Sequence, residues 1–148
     1  MSSPAMAPPN LTPIQISSVT QEPERDKVEP YQEVTVRANV TDQIVGVGYV
    51  MLEYSVNGDS TWNSSNMIFN EALGLYEGVI PGQPENTFVK YYVHASDKIN
   101  HHWVNEDNYG QYYVYTIIPE LPSVAMLLLL LIFSSFVTIM VKRRSTKI

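Results

Sequence analysis

His101 and His102 lie four to six residues ahead of Glu106 and Asp107, and these residue types ligate zinc and other divalent cations. On an extended chain adjacent side chains point to opposite faces, so the two histidines are poorly placed to share one ion. Asp42, Asp97, Glu106 and Asp107 offer oxygen ligands of the kind calcium takes, but no spacing matches an EF-hand loop. The expected state of these acidic stretches is solvated loop, with no metal and no cofactor. Catalytic patterns are missing as well: Gly-x-Ser-x-Gly, His-Glu-x-x-His and a Gly-rich phosphate loop do not occur. Carboxylates are plentiful, yet none stands in a recognisable acid–base context. Cysteine is absent, which removes thiol catalysis, Cys-based zinc sites and disulfides. The expectation is a chain without catalytic residues.

The residues that remain suit modification and recognition. Asn10, Asn39 and Asn63 each open an Asn-x-Ser/Thr sequon and are the glycosylation candidates. Asn39 alternates with the apolar residues around it and should point outward. Ten Tyr and two Trp make a rich aromatic supply. Trp62, Tyr109, Tyr112, Tyr113 and Tyr115 are residues of the kind that stack on sugars or anchor a protein contact. Alternation puts Tyr113 and Tyr115 on one face and Tyr112 on the other, so one set is core and one exposed. The candidate contact surface is Trp62, Tyr113 and Tyr115, for a surface protein or a glycan.

The elements that must position these residues read as all-β. Val34, Val36, Ala38 and Val40 alternate strictly with polar residues over 33–41, the pattern of a half-buried strand. Val50, Leu52, Tyr54 and Val56 do the same over 46–56, which ends at the tight-turn pair Asn57-Gly58. Further strands are expected over 14–19, 63–69, 75–80, 88–96 and 111–117, with Tyr91, Val93 and Ala95 inward on the sixth. The stretches 22–31 and 97–110 read as loops. Seven short strands without an amphipathic helix fit a β-sandwich of about 100 residues.

After the strands comes a membrane pattern. Val124 to Val141 is an uncharged apolar run of 18 residues, followed by Lys142, Arg143 and Arg144. As a helix it is about 27 Å long, enough for a hydrocarbon core of about 30 Å. Basic residues mark the cytoplasmic side, so the sandwich should lie outside. Five of the nine bases and all fifteen acids precede Lys142, a formal balance of −10 over 1–141. Such a domain repels nucleic acid. The expected organisation is a Pro-rich linker at 1–12, a sandwich at 13–118, a short linker at 119–123, a transmembrane helix at 124–141 and a basic tail at 142–148. The first residues resemble no signal peptide, which implies an upstream part in a longer exported protein.

Tyr91-x-Val93-x-Ala95-x-Asp97 resembles a strand of fibronectin type III and related immunoglobulin-like domains, as does Val34 to Val40. Gly74 to Gly82 is similar to a hairpin of Ig-like domains in archaeal cell-surface proteins. Pro119-Glu120-Leu121-Pro122 resembles the Pro-Glu-Phe-Pro-type sorting segment that follows such domains, with Leu121 in place of Phe. The resemblance covers about residues 11–144. It implies an Ig-like sandwich anchored in the cell membrane, and a sorting transpeptidase that cuts near the motif and transfers the new C-terminus to lipid. The implied role is adhesion, display or spacing at the surface. A non-catalytic stalk of a surface hydrolase and a surface-layer or filament subunit are the alternatives.

Overall fold

The computed structural model describes residues 12–58, 60–99, 101–119 and 123–145 of the chain. The chain divides into two compact units, with the break after Ile118. Among the described residues the first unit has strands β1 (Gln15–Glu22), β2 (Val34–Thr41), β3 (Val47–Val56), β4 (Asn63–Asn66), β5 (Ile68–Asn70), β6 (Leu75–Ile80), β7 (Phe88–Asp97), β8 (Trp103–Glu106) and β9 (Tyr113–Thr116). They form two antiparallel sheets. The four-stranded sheet has the order β1-β2-β6-β5, and the five-stranded sheet has the order β4-β3-β7-β8, with β9 also paired to β7.

Alternation builds the layer between the sheets. Val34, Val36 and Ala38 of β2, Val50 and Leu52 of β3, and Val89, Tyr91, Val93 and Ala95 of β7 are all at 2% exposure or less. Burying a Val- or Leu-sized side chain is worth about 1.5–3 kcal/mol. With no disulfide to help, this apolar layer carries the fold. The Tyr91 hydroxyl reaches out of it and donates to Gln21 Oε1 at 3.0 Å, so the large buried ring keeps its polar end satisfied.

Among the described residues the strands number nine where the sequence pattern suggested seven. The stretch 63–69 is two strands in different sheets: β4 pairs with β3, and β5 pairs with β6. Met67 sits between them, 6% exposed, and turns the chain inward across the core. Gly78 on β6 makes the room, since a Cβ there would stand 2.8 Å from Met67 Cγ and 3.2 Å from Leu52 Cδ2. The second addition is β8, inside the stretch 97–110 that read as loop. An edge strand this short buries little, so its sequence lacks a strong apolar period. Gly48 has a related role at the centre. The β3–β7 register shifts between Val47 and Tyr49, and a Cβ on Gly48 would lie 2.4 Å from the Asp97 carbonyl oxygen.

The second unit contains helix α1 (Ser123–Ser145). It starts just before the expected apolar run and continues through Lys142, Arg143 and Arg144, whose side chains lie outside the described residues. The described side chains, Met126 to Thr138 and Met140, are all exposed, and the polar ones among them, Ser134, Ser135 and Thr138, lie on neighbouring helical positions. Ser135 Oγ and Thr138 Oγ1 donate to the carbonyls of Leu131 and Ser134, both at 2.8 Å, a local use of hydroxyls that leaves the helix surface apolar. Among the described residues no helix is long and apolar enough to cross a membrane. The fully described uncharged stretch, Met126 to Thr138, is shorter than the roughly 20 residues a span requires.

Candidate recognition face

β3 and β7 lie side by side in the five-stranded sheet, so their outward residues meet in register. Met51 is opposite His94, Glu53 opposite Tyr92, and Ser55 opposite Lys90. The inward set Tyr91, Val93 and Ala95 obliges Lys90, Tyr92 and His94 to face out. β8 brings Trp103 and Asn105 alongside, because Trp103 pairs with Ser96 and Asn105 with His94. β4 brings Ser64 opposite Glu53, with Trp62 just ahead of it. Tyr112 enters immediately before β9.

Two aromatic groups result. In the first, the Trp62 ring lies 5.0 Å from Tyr92, nearly edge-on, and 5.1 Å from Tyr112. Tyr92 and Tyr112 are 5.9 Å apart. Lys90 Nζ sits 4.9 Å from the Trp62 centroid and 5.6 Å from that of Tyr112, a cation over two ring faces. Ser55 alternates outward opposite Lys90 and is wholly buried, its small side chain leaving the space above it to the rings. In the second group, His94 stacks on Tyr49 at 5.7 Å and on Trp103 at 5.6 Å.

Polar groups are interleaved with the rings. His94 Nδ1 is 2.8 Å from Asn105 Oδ1, and Nε2 is 3.3 Å from the Tyr49 hydroxyl. Donation to an amide oxygen assigns the proton to Nδ1, which leaves Nε2 to accept from Tyr49. Ser64 Oγ donates to the Glu53 carboxylate, 2.7 Å from each oxygen. Burial against its neighbours raises the Tyr92 hydroxyl above its ordinary 10.0, and the nearby Glu53 adds to this, so Tyr92 remains a donor at physiological pH. Trp103 is 62% exposed and Tyr49 47%, so the second group in particular is open to solvent.

A strained loop sets one corner of the face. Asn108, Tyr109, Gly110 and Tyr112 have φ of 55°, 60°, 81° and 59°. Three of these are not glycine, and left-handed backbone costs such residues of order 1 kcal/mol or more each. Asp107 supplies the frame: its carbonyl accepts from Tyr112 N at 2.7 Å and its Oδ1 from Gly110 N at 2.8 Å. Asn108 Nδ2 donates to the Tyr112 carbonyl at 3.3 Å. The outcome is a Tyr112 ring turned onto the outward face and a Tyr109 side chain 99% exposed at the tip.

Of the aromatic surface expected from sequence, Trp62 belongs to this face, while Tyr113 and Tyr115 do not. β9 pairs Tyr113 with Tyr91 and Tyr115 with Val89, both inward residues of β7, so the two tyrosines turn to the core side, Tyr115 buried in it and Tyr113 half-buried against it. Tyr115 is 3% exposed. Tyr113 stacks on Tyr91 at 5.3 Å, and its hydroxyl donates to Glu106 Oε1 at 3.0 Å. Burial, followed by that bond to Glu106, pushes the Tyr113 hydroxyl up to about 12. Tyr49, Lys90, Tyr92, His94 and Trp103 were not singled out from the sequence. The outward half of the alternation over 46–56 and 88–96 was the available signal for four of them.

The other candidates lie elsewhere. Asn39 is half-buried on the outward side of the four-stranded sheet, opposite Ser17. Asn63 is exposed at the start of β4, beside Trp62. Asn10 lies outside the described residues. Pro119 is exposed, and Glu120, Leu121 and Pro122 lie outside the described residues. His102 Nδ1 is 3.3 Å from Asp97 Oδ2, whereas Glu106 is engaged by Tyr113 and by Asn108 N, so the His101-His102 and Glu106-Asp107 pairs do not converge. Among the described residues no group of three or more such ligands is placed to hold a metal ion.

A groove of about 470 Å³ opens between the sheets, lined in part by Val40, Asp42, Val47, Phe69, Tyr76 and Lys98. Asp42 Oδ1 accepts from the backbone N–H groups of Ile44, Val45 and Gly46 at 2.8, 2.8 and 3.1 Å. These bonds, that of Val45 first, hold the carboxyl below its ordinary 3.8. In this arrangement Asp42 is a turn-forming residue.

Compared with known proteins, the chain matches no family model, and no curated sequence is significantly similar to it.

Proposed function

We propose that this chain is a cell-surface β-sandwich module, held at the membrane by helix α1 and acting in adhesion, display or spacing. The observation that carries this reading is the join of an uncharged apolar run of 18 residues to Lys142, Arg143 and Arg144 within one 23-residue helix. A helix this apolar, its few hydroxyls turned to its own backbone, needs either a large protein core or a bilayer to cover it, and the basic end selects the cytoplasmic side. The domain then faces outward, where its lack of disulfides is compensated by the apolar core alone.

An Ig-like assignment of the sandwich is supported by strand order. In Ig-type domains strands A, B, E and D share one sheet and C, F and G the other. The order β1-β2-β6-β5 corresponds to the first set, and β3-β7-β9 to the second, with β4 added beside β3 and β8 beside β7. A sorting transpeptidase acting at Pro119 to Pro122 is the accompanying proposal for the C-terminus. Pro119 is exposed, and proline disfavours helix for the residue ahead of it, which suits a segment that a cleavage enzyme must hold extended.

Protease added to intact native cells should digest the sandwich and, in the unprocessed precursor, spare the residues from Lys142 onward. Protection of the sandwich until the membrane is permeabilised would overturn the topology. Intact-mass analysis of the mature protein tests processing in the same preparation. A mass ending near Pro119 to Ser123 with a lipid adduct is expected, and a mature chain still carrying Lys142 to Ile148 would exclude cleavage.

A further inference from the structure

The chain has two tryptophans, and both lie on the outward face of the five-stranded sheet. The core is built from Val, Leu, Ile, Met and Tyr instead. Trp103 is 62% exposed on the short edge strand β8, with His94 against one face of its ring. Tyr49, His94 and Trp103 form one continuous run of rings, open to solvent at both ends, and a contiguous exposed aromatic patch marks a contact site where a single ring would not.

We infer that this face binds an uncharged polysaccharide, with Trp103, Tyr49, Trp62 and Tyr92 as the stacking surfaces. A pyranose presents an apolar C–H face surrounded by hydroxyls. It therefore needs ring area with donors and acceptors close beside it. Here Glu53, Asn105 and the hydroxyls of Tyr49 and Tyr92 stand among the rings at strand spacing. The centre of a protein–protein contact is depleted of charge, whereas Lys90 and Glu53 sit inside this face. Charge selects the kind of polysaccharide. Lys90 is committed to the Trp62 and Tyr112 rings, and residues 1–141 carry a formal balance of −10, so an acidic polymer is repelled. The ligand is an extended neutral chain of hydroxyl-rich sugars.

The inference rests on the reading of the domain as outward-facing, and the experiment separates the two. The full chain is reconstituted in phosphatidylcholine nanodiscs and titrated with cellohexaose, mannohexaose and chitohexaose. Intrinsic tryptophan fluorescence and calorimetry are the readouts. At least one of these sugars should give a saturable fluorescence change, because both reporters lie on the binding face. Trp103→Ala and Tyr92→Ala should each weaken that binding about tenfold or more. Thr35→Ala, on the other sheet, should leave it within about twofold. Variants are compared only where circular dichroism and melting match the parent chain. Trp103→Ala, at an exposed edge, carries the test if Tyr92→Ala does not fold.

Absence of saturable binding to all three sugars, or binding undiminished in Trp103→Ala, would overturn the inference. Saturable capture by a protein ligand in place of any sugar would do the same. Flotation of the detergent-purified full chain after mixing with phosphatidylcholine vesicles and removing detergent reads the anchor alone. Binding without flotation removes the anchor, and flotation without binding removes the sugar face.

Discussion

The two sheets of the sandwich share one core and present different outer faces. On the four-stranded sheet Thr35, Arg37, Asn39 and Glu77 face out. Arg37 Nε lies 2.6 Å from Glu77 Oε1, and Arg37 Nη1 lies 3.6 Å from Glu22 Oε2. Asn70 Nδ2 donates to the second Glu77 oxygen at 2.7 Å. These groups satisfy each other across adjacent strands. On the five-stranded sheet the same positions hold rings, two of them about half exposed or more. Both faces leave some apolar area in water, Ile68 and Val79 on the four-stranded sheet and Trp103 and Tyr49 on the five-stranded one, but the first is centred on a closed ionic group and the second on a run of rings. The difference separates side chains that stabilise the fold from those available to a partner.

Both faces are defined by alternation against the core, so the largest expected effect is an error of inside and outside. Val93→Asp puts an unpaired charge between the sheets and should cost several kcal/mol, enough to unfold a domain of ordinary stability. Tyr92→Asp, one residue away on the ring face, should leave a cooperative melt. Equal losses from the two would break the assignment of faces.

A second experiment asks whether the ionic face contributes more to stability than the ring face. Arg37→Ala should lower the unfolding free energy measurably in urea titrations, since it strips a charged hydrogen bond from Glu77. Trp103→Ala should change it by no more than about 0.5 kcal/mol. The reverse order would mean that the ring face is structural.

The subtlest difference is in pH response. Hydrogen bonds from Asn70 and then Arg37 hold the Glu77 carboxyl below its ordinary 4.5. A folded value below the unfolded one means that the unfolded chain binds more protons in that window, so stability rises with pH. The contribution is complete above about 4.5 and lost as pH falls through the lower folded value. Glu77→Gln should flatten the fall in melting temperature between pH 5 and 3, as followed by circular dichroism. Thr116→Ala, on the other face, should leave the slope unchanged.

Much of this was legible one strand at a time. Val34 to Val40, Val50 to Val56 and Tyr91 to Ala95 each announce a half-buried strand, because one face of each must avoid water. The C-terminal run announces an apolar helix for the same reason. Met67 was less readable. It sits inside what looks like one strand, and only the glycine at 78 on a distant strand makes it a crossing point. β8 was hidden because Trp103 and Asn105 gain their partners from His94 and Ser96 on β7, outside any local period.

The choice between the tyrosines shows the boundary most clearly. Local alternation put Tyr113 and Tyr115 on one face of β9, since the strand backbone repeats every two residues, whereas Tyr112, ahead of the strand with φ of 59°, is turned onto the other side by its loop. Alternation did not determine which face was water. That was decided when β9 paired with β7 and set Tyr113 opposite Tyr91 and Tyr115 opposite Val89. Sequence by itself determined the all-β class, the alternation on each strand, the acidic charge and the apolar C-terminal run, all of which are local or additive. Tertiary structure decided the strand count, the sheet order and the assembly of Trp62, Tyr92, Trp103 and Tyr49 on one face. Those depend on pairing between residues up to dozens of positions apart, and chain-local periodicity carries no information about such partners.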